Sequence, residues 1–467
     1  MQLWCHWYSM VAPLRMACAR HRSFLWLLVS LAGICAREDL LGVSSIVRTL
    51  GLAPRCYNRL LAFFHSSAVD VDRLTVHWTQ RALALLPVHR FAGKLVLLGD
   101  GIKIPKSGRR MPGVKLLHQP GESNTKPPFI MGHSVQVVSL LVAAADSFFA
   151  VPLAGRIHEG VKFTNRDHRT LPGKCCDLLD SVALGQSFYF VADAYYACAT
   201  VAQRLRTSGS HLISRVRRSA VAYIPAAIPR GPRKRGRPRL YGRKLKLWSL
   251  FDSPAHDWEQ ADSPVYGERD VTIRFLCRDL IWRPLRTTAR FVLVDHPERG
   301  RSIFITTDLS LPPIEVIRLY GLRFKIELSF KQALRVLGAY AYHFWMQAMP
   351  KIARRSGAQH LHRASEPYRA AVRRKLSAYQ RHIQIGLIAQ GLLQCLAIQH
   401  PRLVWSSFGS WLRTIRPGIA PSELVTAAAL RNSLPDFLAQ QRDTSLFKKF
   451  IRERIEPANC SPLRLAG

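Results

Sequence analysis

The hydrophobic residues of the first 90 positions recur at helical spacing, which predicts that this region is mainly helical. Its most apolar stretch, FLWLLVSLAGICA at 24–36, is too short to span a bilayer. We therefore interpret this stretch as a buried helix, and no later stretch has the length and apolarity of a membrane span.

Residues 43–78 contain two apolar-periodic stretches that meet at Gly51–Pro54. Ser44 or Ser45 is expected to cap the first of the two helices. The pattern fits a helix-turn-helix that binds DNA, and it fits an ordinary helical hairpin equally well.

From Lys94 onward the pattern changes to short apolar runs, which are typical of buried strands. Two of these runs are expected to form an antiparallel hairpin joined near Asp146-Ser147. The predicted strands are KLVLLGDG from 94, FIMGHSVQVVSLLVAA at 129–144, SFFAVPLAG at 147–155, SFYFVADAYY at 187–196 and HLISRV at 211–216. Helices are predicted at 170–186 and 197–208.

The pattern changes again after residue 217. Residues 218–300 contain a basic loop and the strand-like runs DVTIRFLC and ARFVLVD, which indicate a β-rich insertion. RSIFITTDLS at 301–310 is a further strand, and a helix capped by Asp308 or Ser310 is expected to run to about Gly338. The chain is helical again after 350. The predicted regions are 1–90, 91–217, 218–300, 301–345 and 346–467.

The charge balance narrows the class of partner. The 467 residues include 68 lysines and arginines against 30 acids, a formal net charge of +38. Such an excess predicts a polyanionic partner, with nucleic acid favoured over a membrane surface, although a merely soluble basic surface is the alternative. The ten cysteines form no CxxC pair, so a zinc knuckle or a disulfide framework is not expected. Reduced thiols in a cytoplasmic protein fit better.

Because acids are scarce, an acid in an apolar setting is informative. Asp100 and Asp193 each end or closely follow a hydrophobic strand. An unpaired buried carboxylate is costly, so both are expected at the rim of a sheet, beside a cation or a metal. Each alone could be a turn residue.

The third acid lies on the predicted helix within LYGLRFKIELSFKQALRVLG, 319–338. At 100° per residue, one face carries Tyr320, Arg323, Glu327 and Lys331. A separate stripe of Leu322, Ile326, Phe330 and Ala333 can pack on a core. The charged face could hold a phosphate between its cations, or it could be a solvated salt-bridge ladder.

Two aspartates at strand ends and a glutamate on a helix could together hold two Mg²⁺ ions, since hard carboxylate oxygens suit Mg²⁺. Other chemistries lack their motifs. The chain has no phosphate-binding G-x-x-x-x-G-K-[ST] sequence, and HEGVK at 158–162 lacks the second histidine of a zinc-protease motif.

These residues resemble the bacterial DDE transposases of insertion sequences, whose last motif is Tyr-x2-Arg-x3-Glu. Here that motif reads Tyr320, Arg323 and Glu327, while LLGDG around Asp100 and FVADAYY around Asp193 resemble the first two motifs. The resemblance covers roughly residues 90–340. It implies an RNase H-like mixed sheet flanked by helices, interrupted by the β-rich insertion, with helical N- and C-terminal regions.

By this resemblance Asp100, Asp193 and Glu327 would bind Mg²⁺, for which Mn²⁺ can substitute. Tyr320, Arg323 and Lys331 would hold DNA phosphate. The family lysine usually follows the glutamate by seven positions, where this chain has Leu334, whereas Lys331 keeps a cation one turn after Glu327. The reaction would be cleavage at transposon ends and attack of the freed 3′-hydroxyl on target DNA, by a homodimer associated with the nucleoid and not with a membrane.

The basic loop GPRKRGRPRLYG, 231–242, resembles an AT-hook, a minor-groove binder, at Arg235-Gly236-Arg237-Pro238. No acid lies between Asp193 and Asp252, so the whole stretch is cationic. We expect Arg235 and Arg237 to contact DNA beside the active site, with a solvated loop as the alternative. Two other functions remain open: a metal-dependent nuclease without strand transfer, and a DNA-binding protein without catalysis.

Overall fold

The change of pattern at Lys94 coincides with a change of architecture, because helices precede it and strands dominate from there to Thr306, before the chain becomes helical again. The computed structural model describes residues 2–119, 127–145, 147–227, 239–253, 257–410, 414–440 and 445–456.

The α-helices of the described residues are α1 (Gln2–Val11), α2 (His21–Ala36), α3 (Val43–Thr49), α4 (Cys56–His65), α5 (Val71–Leu85), α6 (Leu171–Ser181), α7 (Ala199–Thr207), α8 (Pro313–Gly321), α9 (Phe324–Gln332), α10 (Glu366–Gln399), α11 (Pro401–Phe408), α12 (Glu423–Ala439) and α13 (Leu446–Arg452). The strands are β1 (Arg90–Phe91), β2 (Lys94–Pro105), β3 (Lys115–His118), β4 (Phe129–Ala144), β5 (Ser147–Ile157), β6 (Val161–Lys162), β7 (Phe188–Ala192), β8 (His211–Arg215), β9 (Val221–Pro225), β10 (Tyr241–Lys246), β11 (Glu259–Asp262), β12 (Thr272–Trp282), β13 (Thr287–His296), β14 (Gly300–Thr306) and β15 (Gln359–His360). The predicted mixed α/β class with helical terminal regions is confirmed.

The centre of the sheet has the RNase H-like order β8-β7-β2-β4-β5. β2, β7 and β8 run parallel, whereas β4 and β5 form the expected antiparallel hairpin. The strands of the predicted insertion continue this sheet through β14, whose Phe304 pairs with Arg215 of β8. The insertion is therefore joined edge to edge with the central strands.

Helices from both ends of the chain cover β5. The middle of α10 is buried on all sides from Ala378 to Ala397, and Gln384 donates a hydrogen bond to the carbonyl of Leu153. Trp78 of α5 donates to the carbonyl of Pro152, and it packs so closely on Gly391 that a side chain there would collide with its ring. The polar side chains of this buried stretch form hydrogen bonds, as when Arg381 donates to the carbonyl of Val69 and Gln394 to the Glu423 carboxylate.

The apolar stretch at 24–36 is the buried helix α2, as predicted. Within the described ranges, every helix is too short or too polar to cross a bilayer. The nine cysteines of these ranges carry free thiols.

The predicted serine cap of α3 is wrong. The helix starts after Gly42, whose φ of 76° turns the chain into it, and no side chain caps it. Ser44 and Ser45 lie inside the helix, where their hydroxyls donate to the carbonyls of Leu41 and Asp39 instead of accepting from free amides.

The single helix predicted up to Gly338 is two helices with a break. Turns of the tighter i to i+3 type, such as Arg323 N to Tyr320 O, separate α8 from α9, and a π-helical turn, Ala333–Leu337, follows α9. The end at Gly338, which has φ 58°, is confirmed. The predicted cap is wrong, because Pro312 precedes α8 and the Asp308 carboxylate binds Ser310 instead.

Candidate active site

Asp100 and Asp193 occupy equivalent positions on adjacent parallel strands. The register pairs Gly99 of β2 with Ala192 of β7, and each aspartate is the next residue along its chain. Neighbouring strands lie about 4.8 Å apart, so the two carboxylates share one edge of the sheet. Gly99 is required here, because a Cβ at this position would collide with the ring of Phe190.

The Asp100 carboxylate is largely enclosed, with 19% of its side chain exposed. Its Oδ1 accepts a hydrogen bond of 2.7 Å from the amide of Gly101, and its Oδ2 lies 2.9 Å from Arg323 Nη1. Burial raises the pKa of Asp100 to about 6, and the nearby charges of Asp193 and Glu327 add to the rise, whereas Arg323 and the Gly101 amide oppose it. Asp100 is therefore close enough to Asp193 and to Glu327 for each of their charges to raise its pKa.

The chain after β7 turns sharply and fixes the Asp193 side chain. Asp193 Oδ1 accepts a hydrogen bond of 3.0 Å from the amide of Tyr195. Its backbone carbonyl accepts from the Ser214 hydroxyl at 2.8 Å and from the amide of Tyr196 at 3.0 Å. Ser214 lies on the adjacent parallel strand β8, so the sheet itself sets this turn.

Arg323 connects the sheet to the helix that carries Glu327. Its Nη2 lies 2.6 Å from Glu327 Oε1, while Nη1 is bound to Asp100. Burial alone would lower the pKa of Arg323, but Tyr320, Asp100 and Glu327 outweigh it, and the pKa is raised. The guanidinium is therefore a permanent cation between two carboxylates.

Tyr320 belongs to the same cluster, whereas Lys331 does not. The Tyr320 ring packs against Phe304 at 4.7 Å, and the Arg323 guanidinium lies 5.9 Å from its centroid. Burial raises the Tyr320 pKa, with opposing effects from Arg323 and Arg215. Lys331 is exposed, and within the described ranges no ion pair links it to the three acids. The apolar stripe from Leu322 to Ala333 is buried as predicted.

The basic loop of the sequence is only partly described. Arg235 and Arg237 lie outside the described residues, which resume at Arg239. The expectation for these two arginines stays a prediction.

The structure adds residues that the sequence analysis did not select. Arg215 ends β8 and lies near enough to Tyr320 to lower its pKa. Gln136 links the Tyr196 hydroxyl, 3.1 Å away, to His158. Gln136 faces Gly101 across β2 and β4. The paired tyrosines after Asp193 were visible in the sequence, whereas Arg215 and Gln136 become neighbours only through strand pairing.

His158 and Glu159, the first two residues of the HEGVK stretch, have structural partners. His158 contacts Gln136, and Glu159 forms an ion pair with Lys115. Burial lowers the pKa of His158 to about 4, so its ring is neutral at physiological pH.

The carboxylate oxygens of the three acids suit a divalent cation, but Arg323 lies between two of them. The carboxylates of Asp100, Asp193 and Glu327 offer hard oxygen ligands of the kind that Mg²⁺ prefers. Across the described ranges, no three His, Cys, Asp or Glu side chains are already placed to hold a metal ion. The guanidinium instead lies between Asp100 and Glu327.

Comparison with known proteins agrees with this geometry. The family described as DDE superfamily endonuclease matches residues 16–279, more than half of the chain. The match includes Asp100 and Asp193 and ends before Glu327. No curated protein matches the chain. Asp100 and Asp193 on adjacent strands, within a matched region of this extent, lead to one conclusion: the chain belongs to the DDE superfamily of endonucleases, enzymes that cleave nucleic acid.

Proposed function

We propose that this DDE endonuclease is a transposase, which cleaves DNA at transposon ends and joins the freed 3′-hydroxyls to target DNA. The observation that carries the proposal is the convergence of Asp100, Asp193 and Glu327 through strand pairing and Arg323. The Tyr-x2-Arg-x3-Glu spacing supports a transposase over other nucleases.

In this proposal Asp100, Asp193 and Glu327 are the catalytic residues and hold Mg²⁺, with Mn²⁺ as a substitute. When bound, the metal supplies activation of a water or a 3′-hydroxyl and stabilisation of the leaving oxygen. The protein contributes the placement of its ligands, which the β2–β7 register and the Ser214–Asp193 hydrogen bond maintain.

Arg323 changes partners during binding. In the free protein its two Nη atoms neutralise Asp100 and Glu327. A DNA phosphate offers two oxygens to these two Nη atoms, so the guanidinium would bind the phosphate and leave both carboxylates free to hold the metal. The Tyr320 hydroxyl donates to the same phosphate, Arg215 adds positive charge beside it, and the exposed Lys331 adds charge from outside this cluster.

The DNA is held over a larger surface than the cut itself. Arg235 and Arg237 bind it beside the active site through phosphates and the minor groove. Two transposon ends are brought together by a homodimer in the cytoplasm, at the nucleoid. The roles of Arg235 and Arg237 and the homodimer are supported by the charge of the loop and by the family resemblance.

Two assays test the reaction class. The substrate is a linear duplex carrying the DNA that flanks the coding sequence, incubated with Mg²⁺ and then analysed for cut ends. A second assay supplies ends that are already cut and a target plasmid. A transposase gives joined product in the second assay, whereas a nuclease without strand transfer gives none. A DNA-binding protein without catalysis leaves both substrates intact with Mg²⁺ and with Mn²⁺.

A further inference from the structure

A wide cleft, which we call the basic groove, lies beyond the C-terminal end of β2. Its volume is about 780 Å³, and its lining includes Lys106, Arg109, Arg354 and Arg355. It belongs neither to the three carboxylates nor to the basic loop at 231–242. Three arginines line this cleft beside the buried Lys106, whose pKa burial lowers to about 7. An anionic occupant would relieve the repulsion among these like charges.

The sequence explains the charge of the groove. No acidic residue occurs between Asp100 and Glu122 or between Glu327 and Glu366. Each of these two segments starts at a proposed catalytic acid and then contributes one wall of the groove. In the part of the chain that the structure describes, no ion pair neutralises Arg354 or Arg355, and Arg109 and Arg110 donate to the backbone carbonyls of Ile352 and Gln347.

The groove is built before any ligand arrives. Backbone hydrogen bonds tie the two walls together: Met346 N to Arg110 O, Ile352 N to Arg109 O, and Leu116 N to Ser356 O. The Lys106 ammonium is buried between the walls and donates to the carbonyls of Tyr340 and Tyr342. A cleft of fixed shape binds with a smaller entropic cost than a flexible tail.

Two further features point to a nucleic acid. Arg355 has φ 65°, a left-handed conformation that is strained for a non-glycine residue and is often found at functional sites. Phe129 lines the groove and is 52% exposed, and Trp345 beside Gly108 is 66% exposed. Exposed aromatic rings among arginines that form no ion pair with a described residue are typical of surfaces that bind nucleic acid.

The distance to the carboxylates fits a continuous duplex. Lys106 follows Asp100 by six residues along the extended strand, which corresponds to roughly 20 Å at about 3.3 Å per residue. This span equals about six base pairs of duplex DNA at 3.4 Å per step. We propose that the basic groove binds the phosphodiester backbone of duplex DNA, about six base pairs from the cleaved phosphate. The distance of six base pairs from the cleaved phosphate rests on the proposed function. Binding of DNA phosphate by the groove does not.

The test compares DNA affinity at different salt concentrations without catalysis. The probe is a fluorescent 40-base-pair duplex in EDTA, titrated with the full chain between about 50 and 200 mM NaCl. The groove variant is R354A/R355N, because asparagine tolerates the left-handed conformation at 355. The control is R402A/R416A, which removes the same charge from two exposed arginines. Their neighbours Pro401 and Gly418 line a cavity with Ala143–Ala145, at the other end of the β4–β5 hairpin.

Each lost phosphate contact lowers the slope of log K against log salt by about 0.9, so R354A/R355N should lose about 1.8. R354K/R355K should keep most of the slope, and R402A/R416A should match the wild type. Equal slopes for the groove variant and the control variant overturn the proposal. The single exposed change R354Q should lose about half as much and guards against misfolding of the double variant.

The distance is tested on DNA that the protein cleaves. Hydroxyl-radical footprinting should show protection about six base pairs from the cut, absent in R354A/R355N. Protection confined to the cut itself overturns the proposed distance of six base pairs. If even the wild type never cleaves DNA, the proposed function and the proposed distance fail together. The salt slopes still decide whether the groove binds DNA.

Discussion

Arg323 Nη1 lies 2.9 Å from Asp100 Oδ2, although 223 positions separate the two residues in the sequence. The same guanidinium binds Glu327, four residues further along the chain. One cation thus neutralises two of the three carboxylates that we propose as metal ligands. This contact neutralises both carboxylates, and in our proposal the guanidinium competes with a metal for them.

Removal of Arg323 should therefore strengthen metal binding in the absence of DNA. R323A leaves carboxylates whose mutual repulsion a cation relieves, so Tb³⁺ should bind about tenfold more tightly than to the wild type. Tyrosine-sensitised Tb³⁺ luminescence measures this affinity without any catalytic turnover. R335A, which removes an exposed arginine just beyond α9, should leave the affinity unchanged. An equal or weaker affinity of R323A would show that the guanidinium does not compete with metal.

Two glycines flank Asp100, and only one of them should resist substitution. A Cβ on Gly99 collides with Phe190, whereas a Cβ on Gly101 has its nearest neighbour, the Tyr196 hydroxyl, at 3.8 Å. G99A should lower the free energy of unfolding by about 1–3 kcal/mol, because the Phe190 ring must shift within a packed core. G101A should change it by less than about 1 kcal/mol. Urea denaturation of both variants measures the difference, and equal losses would contradict the packing account.

The raised pKa of Asp100 predicts a pH dependence of stability in the metal-free protein. Its pKa is about 6 in the folded state against 3.8 ordinarily, so the folded state retains the proton over this interval while the unfolded state releases it. Stability from this group is therefore lost as pH rises from about 4 to 6. D100N lacks the effect, so its unfolding free energy relative to wild type should increase by on the order of 2 kcal/mol between pH 4 and pH 7. Denaturation in EDTA across this range tests the sign, and a constant difference would be inconsistent with it.

Arg215 and Lys331 differ in how close they lie to the proposed catalytic residues. Arg215 lies close enough to Tyr320 to influence its pKa, whereas Lys331 is exposed and has no ion pair with the acids in the described ranges. R215A should reduce DNA cleavage roughly 10–100-fold, the effect of one well-placed phosphate contact, and K331A should reduce it less than about threefold. Rates at saturating DNA give the comparison. A larger loss in K331A would assign to Lys331 the role that the family resemblance implies.

Much of this fold follows from local pattern. Short apolar runs predict the strands that end at or near Asp100 and Asp193, because a run of this length and composition is typical of a buried strand. The break between α8 and α9 was not predicted, since the apolar stripe from Leu322 to Ala333 continues through it at helical spacing. Only the i to i+3 hydrogen bonds of the folded chain reveal it.

The acids of the candidate site could be predicted from the sequence, whereas several of their neighbours could not. Acids at strand ends indicate a sheet rim from sequence alone, but which rims are adjacent depends on strand order. Arg215 and Gln136 are therefore invisible to sequence reasoning, as both join the site through pairing between strands distant in sequence. Lys331 has the correct helical angle relative to Glu327, yet the turn before α9 directs Arg323, and not Lys331, toward Asp100.

The central claim is that Asp100, Asp193 and Glu327 together carry metal-dependent DNA cleavage. Its most direct test is Mg²⁺-dependent cutting of the flanking DNA by D193N and E327Q beside the matched variant E315Q, which removes a carboxylate that pairs with Arg318 on α8. We expect a loss of roughly 10³-fold or more in D193N and in E327Q, with DNA affinity retained and E315Q close to wild type. Cleavage by E327Q or D193N at the rate of E315Q would contradict it.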